Sequence, residues 1–365
     1  MLILLLLPAF VVVTILFVVN KTICWREFLL TLFTSFVFAV FGLTLSYCGA
    51  TADEELLNGS VKSKSKEYVS CSHSYECNCT NHTTCSGTGS SRHCSTTRIC
   101  QTCYEHFNDW DWVVQTTVGT LNIDRIDRQG SKEPPRWTKV VIGEPATLPH
   151  SYTNYIKAAP SSVLTNQQEY RFTLPKYPKV YDYYRANHLI LDGVVPADYA
   201  RSNAILNDLN SRLGSKKQIN ILYVITKAAS QDYMYALRAK WIGGKKNDFI
   251  VVLGVPDQKT IQWAGVITWS EVELLKVKVR DSAAGKPIDS LASIILTHGE
   301  MIEEEFHRKP MADYEYLKYQ YAPSTTSVVL IVLISIVISV LLSIFFINND
   351  VFGQRTYRSK YEYWR

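Results

Sequence analysis

The chain has 365 residues and a mass of 41.5 kDa; 47 % of its residues are apolar, 19 % are charged, and its formal charge is +5. That composition excludes disordered, collagen-like and coiled-coil chains, which are apolar-poor, Gly-periodic or heptad-patterned. The clustering of the apolar residues into long blocks excludes an ordinary soluble domain, and the charge excess gives no ground for nucleic-acid binding, because four basic residues sit in the tail Arg355–Arg365.

Leu2–Val19, Phe28–Cys48 and Val328–Ile347 carry no charge, and about 20 residues of helix cross a hydrocarbon core. They predict three transmembrane helices, the first two forming a hairpin. A cleaved signal peptide is the alternative for Leu2–Val19, but it lacks a basic start and a small-residue cleavage site near Asn20. A lipoprotein signal ending at Cys48 is a second alternative, with the bulky Tyr47 where a small residue is expected. Lys21 and Arg26 in the hairpin loop, with Arg355, Arg358, Lys360 and Arg365 in the tail, mark cytoplasmic segments. The expected topology has the N-terminus outside, the hairpin loop inside, Gly49–Thr326 outside and the tail inside. Lys62, Lys64 and Lys66 run against it, preceded by Asp53, Glu54 and Glu55. Basic and aromatic residues alternate in the tail, a pattern suited to anionic lipid at the inner leaflet or to a cytoplasmic protein partner.

Seven of the nine cysteines, Cys71, Cys77, Cys79, Cys85, Cys94, Cys100 and Cys103, lie in a stretch otherwise rich in Ser, Thr, Asn and His. So polar a segment needs covalent or metal staples to fold. Outside the cytoplasm the reading is three disulfides of unreadable connectivity, with one cysteine left to pair with Cys48 or another chain. In the cytosol, Cys100-x2-Cys103 and Cys77-x-Cys79 with His73, His82, His93 or His106 would read as zinc ligands. The topology favours disulfides. Asn58, Asn78 and Asn81 open Asn-x-Ser/Thr triplets, which would accept glycans in a eukaryotic secretory pathway.

From Tyr104 the chain alternates apolar and polar residues over Trp110–Val114, Thr117–Ile126 and Trp137–Ile142, bounded by Gly119, Gly130, Pro134-Pro135 and Gly143. This predicts a small antiparallel β-unit. Asp109, Asp111, Asp124 and Asp127 fit a calcium site by type, but alternation places them on the solvent face. Ser151–Val195, rich in Tyr, Asn and Pro, reads as an extended connector.

Asp198–Leu213 has a helical pattern, Ile219–Thr226 and Phe249–Val255 are buried strands, and Thr260–Trp269 is a third. A helix capped by Ser230 carries Tyr233, Leu237 and Trp241, and two further helices follow, the last placing Ile288, Leu291, Ile295, His298, Ile302 and Phe306 on one stripe. An α/β sandwich results. Ile219–Thr226, the helix end at Trp241, the turn Ile242-Gly243-Gly244-Lys245-Lys246-Asn247-Asp248 and Phe249–Leu253 resemble the TPM domain, named for thylakoid-lumen, photosystem-repair and acetylcholine-receptor-modulating proteins. The resemblance covers roughly a third of the chain and, since some members are phosphatases, implies a carboxylate- or metal-dependent hydrolase. Asn247-Asp248-Phe249 stands where that family has Asp-Asn-Gly, and Ala264-Gly265-Val266 where it has a Gly-rich segment. The whole chain, with its paired N-terminal spans, Cys-rich neck and Pro134–Trp137, also resembles membrane proteins of large tailed bacteriophages, which implies a place in the host inner membrane.

Gly243-Gly244-Lys245-Lys246 closes a helix and enters a strand, the reverse of a P-loop, so it reads as a Gly C-cap with solvated lysines. Asp248 and Asp257 are the candidate catalytic carboxylates, each with a plain turn as the competing reading. Asp257, Glu271 and Glu273 are the candidate ligands of a divalent cation, the one cofactor considered. His298 reads as a core histidine, with Glu300, Glu303, Glu304 and Glu305 as a solvated face. Nucleophile-elbow, dinucleotide and metalloprotease motifs do not occur. The expected architecture is a membrane-anchored α+β chain. It comprises a transmembrane hairpin (1–48), a Cys-rich disulfide neck (49–103), a β-rich unit and connector (104–195), a TPM-like α/β domain (196–310), a linker (311–326), a transmembrane helix (327–347) and a cytoplasmic tail (348–365). Its expected function is extracytoplasmic binding of an envelope component or membrane protein; a phosphatase-like hydrolase and a structural virion-membrane or assembly protein are the alternatives.

Overall fold

The computed structural model describes residues 2–19, 23–86, 93–159, 172–349 and 351–352; Lys21, the tail Arg355–Arg365, residues 160–171 of the connector and the side chain of His93 lie outside the described residues. The chain runs α1 (Leu2–Val19), α2 (Trp25–Thr51), β1 (Ala52–Val69), β2 (Ser74–Ser86), β3 (His93–Tyr104), β4 (Asp109–Thr116), β5 (Gly119–Ile123), α3 (Pro135–Thr138), β6 (Pro145–Thr153), α4 (Tyr155–Ala158), β7 (Leu189–Asp192), α5 (Tyr199–Lys217), β8 (Asn220–Thr226), α6 (Asp232–Lys240), β9 (Asp248–Gly254), β10 (Trp263–Thr268), α7 (Glu273–Ala283), α8 (Leu291–Glu305) and α9 (Thr325–Asn348). This is an α+β architecture of two units, one of Met1–Glu54, Ser151–Gln168 and Pro310–Arg365, the other of Glu55–His150 and Glu169–Lys309.

In the first unit α1, α2 and α9 pack on one another with inverted polarity. Small or polar residues turn inward at every fourth position, Thr31, Ser35 and Ala39 on α2 and Ser335, Ser339 and Ser343 on α9, while Phe33, Phe41, Leu45, Leu333, Val337 and Leu341 stand exposed. That spacing keeps them on one helical face. Small inward residues let the backbones approach: the Ser35 and Ser339 hydroxyls meet at 2.7 Å. A Cβ on Gly42 would lie 2.8 Å from Ile331 Cγ1. Two helices among the described residues, α2 and α9, are long and apolar enough to cross a membrane by length and composition. Two of the three expected spans are thus supported among the described residues.

Gly42→Leu is therefore expected to push α9 off α2 and cost roughly 1–3 kcal/mol, the range for overpacking. Disulfide trapping between cysteines placed at Ser35 and Ser339 should drop in the Gly42→Leu background. Unchanged trapping would contradict this packing.

In the second unit one sheet has the order β5-β4-β1-β6. Antiparallel β4 pairs with both β1 and β5. The alternation expected over Trp110–Val114 is met in part: Trp112 and Val114 enter a core with Val61, Ile123, Val140 and Ala146, but Val113 between them is buried as well. Trp137–Ile142 is a correction: Trp137 lies in α3, not in a strand. Pro135 at the first helical position fixes φ near the helical value, and its missing N–H costs nothing there.

The Cys-rich neck is an ordered antiparallel hairpin of β2 and β3. Cys77 is joined to Cys103, Cys79 to Cys100 and Cys85 to Cys94, with Cα atoms 5.8, 4.0 and 4.0 Å apart. Cys85 and Cys94 are direct register partners. Most described side chains of this hairpin are exposed, so cross-links rather than a core hold it. Cys71, the seventh, is buried and unbridged.

The second sheet has the order β10-β9-β8-β7, with β7, β8 and β9 parallel and β10 antiparallel. Alternation divides its residues between two cores. Ile221, Tyr223, Ile225, Phe249, Val251 and Leu253 meet α5, α7 and α8, whereas Leu222, Val224, Ile250 and Val252 meet Trp263 and the Tyr233, Leu237 and Trp241 of the α6 segment. The α/β sandwich expectation is met. The connector Ser151–Val195 is corrected, because it contains the end of β6, the one-turn helix α4 and the four-residue edge strand β7, each too short to show a period.

Candidate functional site

Four potential metal ligands converge at the base of the hairpin: Cys71 and His73 just before β2, His106 after β3, and Asp109 at the start of β4. Their ligand atoms all lie within 4.8 Å of one another. Cys71 Sγ is 3.9 Å from His73 Nδ1 and 3.8 Å from His106 Nδ1. Asp109 Oδ2 is 3.4 Å from His73 Nδ1, and its Oδ1 is 3.3 Å from His106 Nδ1. Backbone pairing of Glu105 N with His73 O at 3.0 Å closes the two chain segments on each other.

Asp109 is fully buried. Its Oδ2 accepts from Arg125 Nη1 at 2.9 Å and from the Ser72 amide at 3.3 Å. Its Oδ1 has no hydrogen-bond donor. Burial acts to raise the carboxyl, but hydrogen bonds from Arg125, Ser72 and Cys71 and the guanidinium charge hold it below the usual carboxylate range. Strand alternation alone put Asp109 on the solvent face; the Arg125 pairing is what lets a charge occupy an inward position. Asp111 shares Arg125, Asp124 accepts from Tyr183 Oη, and Asp127 accepts from Ser131 and Lys132, so these acids serve separate contacts. A second grouping, Glu76 with Cys79 and Cys100, has both sulfurs in a disulfide.

The candidate catalytic Asp248 is fully buried at the entry of β9. It accepts from Asn220 Nδ2 at 2.8 Å, the Lys245 amide at 2.7 Å and Tyr177 Oη at 2.9 Å. It thus pins the glycine turn, where Gly244 at φ +81° would bring a Cβ to 3.0 Å from its Oδ2. Its neighbour Asn247 donates to Leu56 O at 2.7 Å. Asp257 is exposed and accepts from the Lys259 and Thr260 amides at 3.0 and 2.9 Å. Glu271 pairs with Lys309 and Glu273 with Lys276; Asp257, Glu271 and Glu273 do not come together as a ligand group among the described residues. Of the glycan triplets, Asn78 and Asn81 are exposed. Asn58 is buried at 2 % exposure, which corrects it as an acceptor.

His298 is the satisfied core histidine the sequence predicts, with Nδ1 2.7 Å from Tyr223 Oη and Nε2 2.9 Å from Ser282 Oγ. Burial, aided by Lys286, lowers it to about 4, and burial also lowers His188 to about 4 against its Asn207 contact. Both titrate near 6.5 when unfolded, so their stabilisation is present above about 6.5 and is lost as pH falls toward 4. Asp248 acts oppositely: burial raises it to about 6, so its contribution is present at low pH and lost as pH rises through that value. At about 1.4 kcal/mol per pH unit of displacement, the two histidines outweigh the aspartate. The unfolding free energy of the detergent-solubilised chain is expected to fall by roughly 3 kcal/mol from pH 7 to pH 4. Denaturant titrations at both pH values check this, with a shallower loss for His298→Gln; rising stability on acidification would contradict it.

Comparison with protein-family models, curated proteins and solved structures finds no match to this chain.

Proposed function

We propose that the chain is a membrane-anchored module whose central portion, Gly49–Thr326, lies outside the cytoplasm and binds an envelope component or another membrane protein. The observation that carries the reading is the inverted polarity of the helical unit, with serines inside and phenylalanines and leucines outside on α2 and α9. Lipid solvates such a surface, and close packing of small residues is how helices associate within lipid. Tyr321 stacks edge-on against Tyr47 at 5.2 Å, and its hydroxyl meets Ser46 Oγ at 2.6 Å. The end of α2 and the start of α9 are thus held together, so the central portion leaves and re-enters on one side. Tyr316 and Tyr319 are exposed beside this junction, where interfacial aromatics belong. Three disulfides support an oxidising compartment on that side.

Binding rather than hydrolysis is supported by how the carboxylates are used. Asp248 is enclosed, and Asp257 is spent on a turn, whereas the hairpin presents two long strands of exposed side chains.

The test is protease accessibility in cells whose outer barrier has been removed. External protease is expected to cut within Gly49–Thr326 while the chain stays in the carbonate-washed membrane pellet. A chain released by carbonate, or cut only after lysis, would overturn the reading.

A further inference from the structure

We propose that Cys71, His73, His106 and Asp109 are the four ligands of a structural zinc(II) ion that clamps the base of the disulfide hairpin. This goes beyond the anchoring and binding reading and does not depend on it. The first argument is metric. A tetrahedron with Zn–S of about 2.3 Å and Zn–N or Zn–O of about 2.0–2.1 Å has S···N edges of about 3.6 Å and N···O edges of about 3.3 Å. The two S···N separations here are 3.9 and 3.8 Å, and the N···O separation from His106 Nδ1 to Asp109 Oδ1 is 3.3 Å, with His73 Nδ1 3.4 Å from the other carboxylate oxygen, Oδ2. Thiolate, two imidazoles and carboxylate form a donor set that suits zinc over calcium or magnesium, which take oxygen ligands.

The second argument is the unmet demand of Asp109. Burying a carboxylate oxygen without a partner costs several kcal/mol or more in an apolar setting, yet Oδ1 makes no hydrogen bond and lies 3.3 Å from His106 Nδ1. A dication there satisfies it. Arg125 and the Ser72 amide hold the other oxygen, the outer contacts that orient a ligating carboxylate. One thiolate and one carboxylate neutralise the ion, so the buried centre carries no net charge.

Topology supplies the purpose. Cys71 and His73 enter the hairpin, His106 and Asp109 leave it, and the Cys77–Cys103 bridge is the next rung. The ion would fasten the end at which the hairpin joins the sheet through β4. With four protein ligands no open position remains, so the role is structural rather than catalytic.

The purified full chain in detergent, stripped with chelator and titrated with cobalt(II), tests this. One equivalent is expected to develop the visible bands of a tetrahedral site together with a thiolate-to-cobalt charge-transfer band, and zinc should bleach both. Cys71→Ser should abolish the charge-transfer band, whereas Cys48→Ser should leave it. Arg125→Met should weaken zinc binding about 10–100-fold. As a readout independent of the variants' folding, zinc should slow alkylation of Cys71 in the unaltered chain. Absence of the charge-transfer band in the unaltered chain, its survival in Cys71→Ser, or a Cys48–Cys71 disulfide in the native protein would overturn the proposal.

Discussion

Replacing Asn58 by leucine is expected to lower the unfolding free energy by about 5 kcal/mol, because three buried polar partners lose their hydrogen bonds at about 1–3 kcal/mol each. Asn58 Oδ1 accepts from Thr147 Oγ1 at 2.7 Å and lies 3.0 Å from His188 Nε2; its Nδ2 donates to Asn220 Oδ1 at 2.8 Å. The residue therefore joins β1, β6 and β8 and the segment before β7 through one amide. Gly214 leaves room for this approach, since a Cβ there would stand 2.4 Å from Asn58 O. The loss is read as a lowered denaturant midpoint of the solubilised chain. Asn58→Asp should be at least as damaging, because it places a carboxylate beside Asn220 Oδ1 in a site without solvent. A change below about 1 kcal/mol for leucine, the typical range of surface substitutions, would show that the network is not formed.

Reduction of the three disulfides is expected to melt the β2–β3 hairpin while the α/β sheet stays folded. A lone two-stranded hairpin is marginal in water, and each bridge contributes about 2–4 kcal/mol by restricting the unfolded chain. The hairpin has few buried side chains to set against that loss, while β8 and β9 are buried along their whole length. Limited proteolysis with reductant and chelator should therefore give cuts confined to residues 74–104, leaving a resistant fragment that contains Asn220–Gly254. Equal resistance before and after reduction would contradict the hairpin's dependence on its cross-links; loss of the α/β fragment as well would contradict its independence.

The strands Asn220–Thr226 and Asp248–Gly254 were legible because a strand buried on both faces is an unbroken aliphatic run, and the long apolar helices because nothing interrupts them. The strand Ala52–Val69 was hidden. Its buried members include Glu55 and Asn58, and what buries them is remote: Arg308 at 2.8 Å and Lys246 at 3.3 Å for Glu55, the amide network for Asn58. Such partners leave no local period.

The cysteine pairing was hidden for the same reason, since register across a hairpin is a long-range property, and a bulge between Cys77 and Thr80 shifts it. Asn78, at φ 48°, sits in that bulge. The Cys71 cluster did leave a trace: Cys71-x-His73 and His106-x2-Asp109 flank the disulfide-bonded segment on both sides. Grouping the histidines with Cys77, Cys79, Cys100 and Cys103 conceals it, because those four cysteines are joined in disulfides.

The redox state of the hairpin inside intact cells tests the outward placement of the central portion most directly. Cells expressing the full chain are flooded with a membrane-permeant alkylating reagent before lysis, and the protein is digested without reduction. Peptides cross-linked as Cys77–Cys103, Cys79–Cys100 and Cys85–Cys94 are the predicted result. Recovery of all six as alkylated free thiols would place the segment in a reducing compartment and contradict the extracytoplasmic assignment.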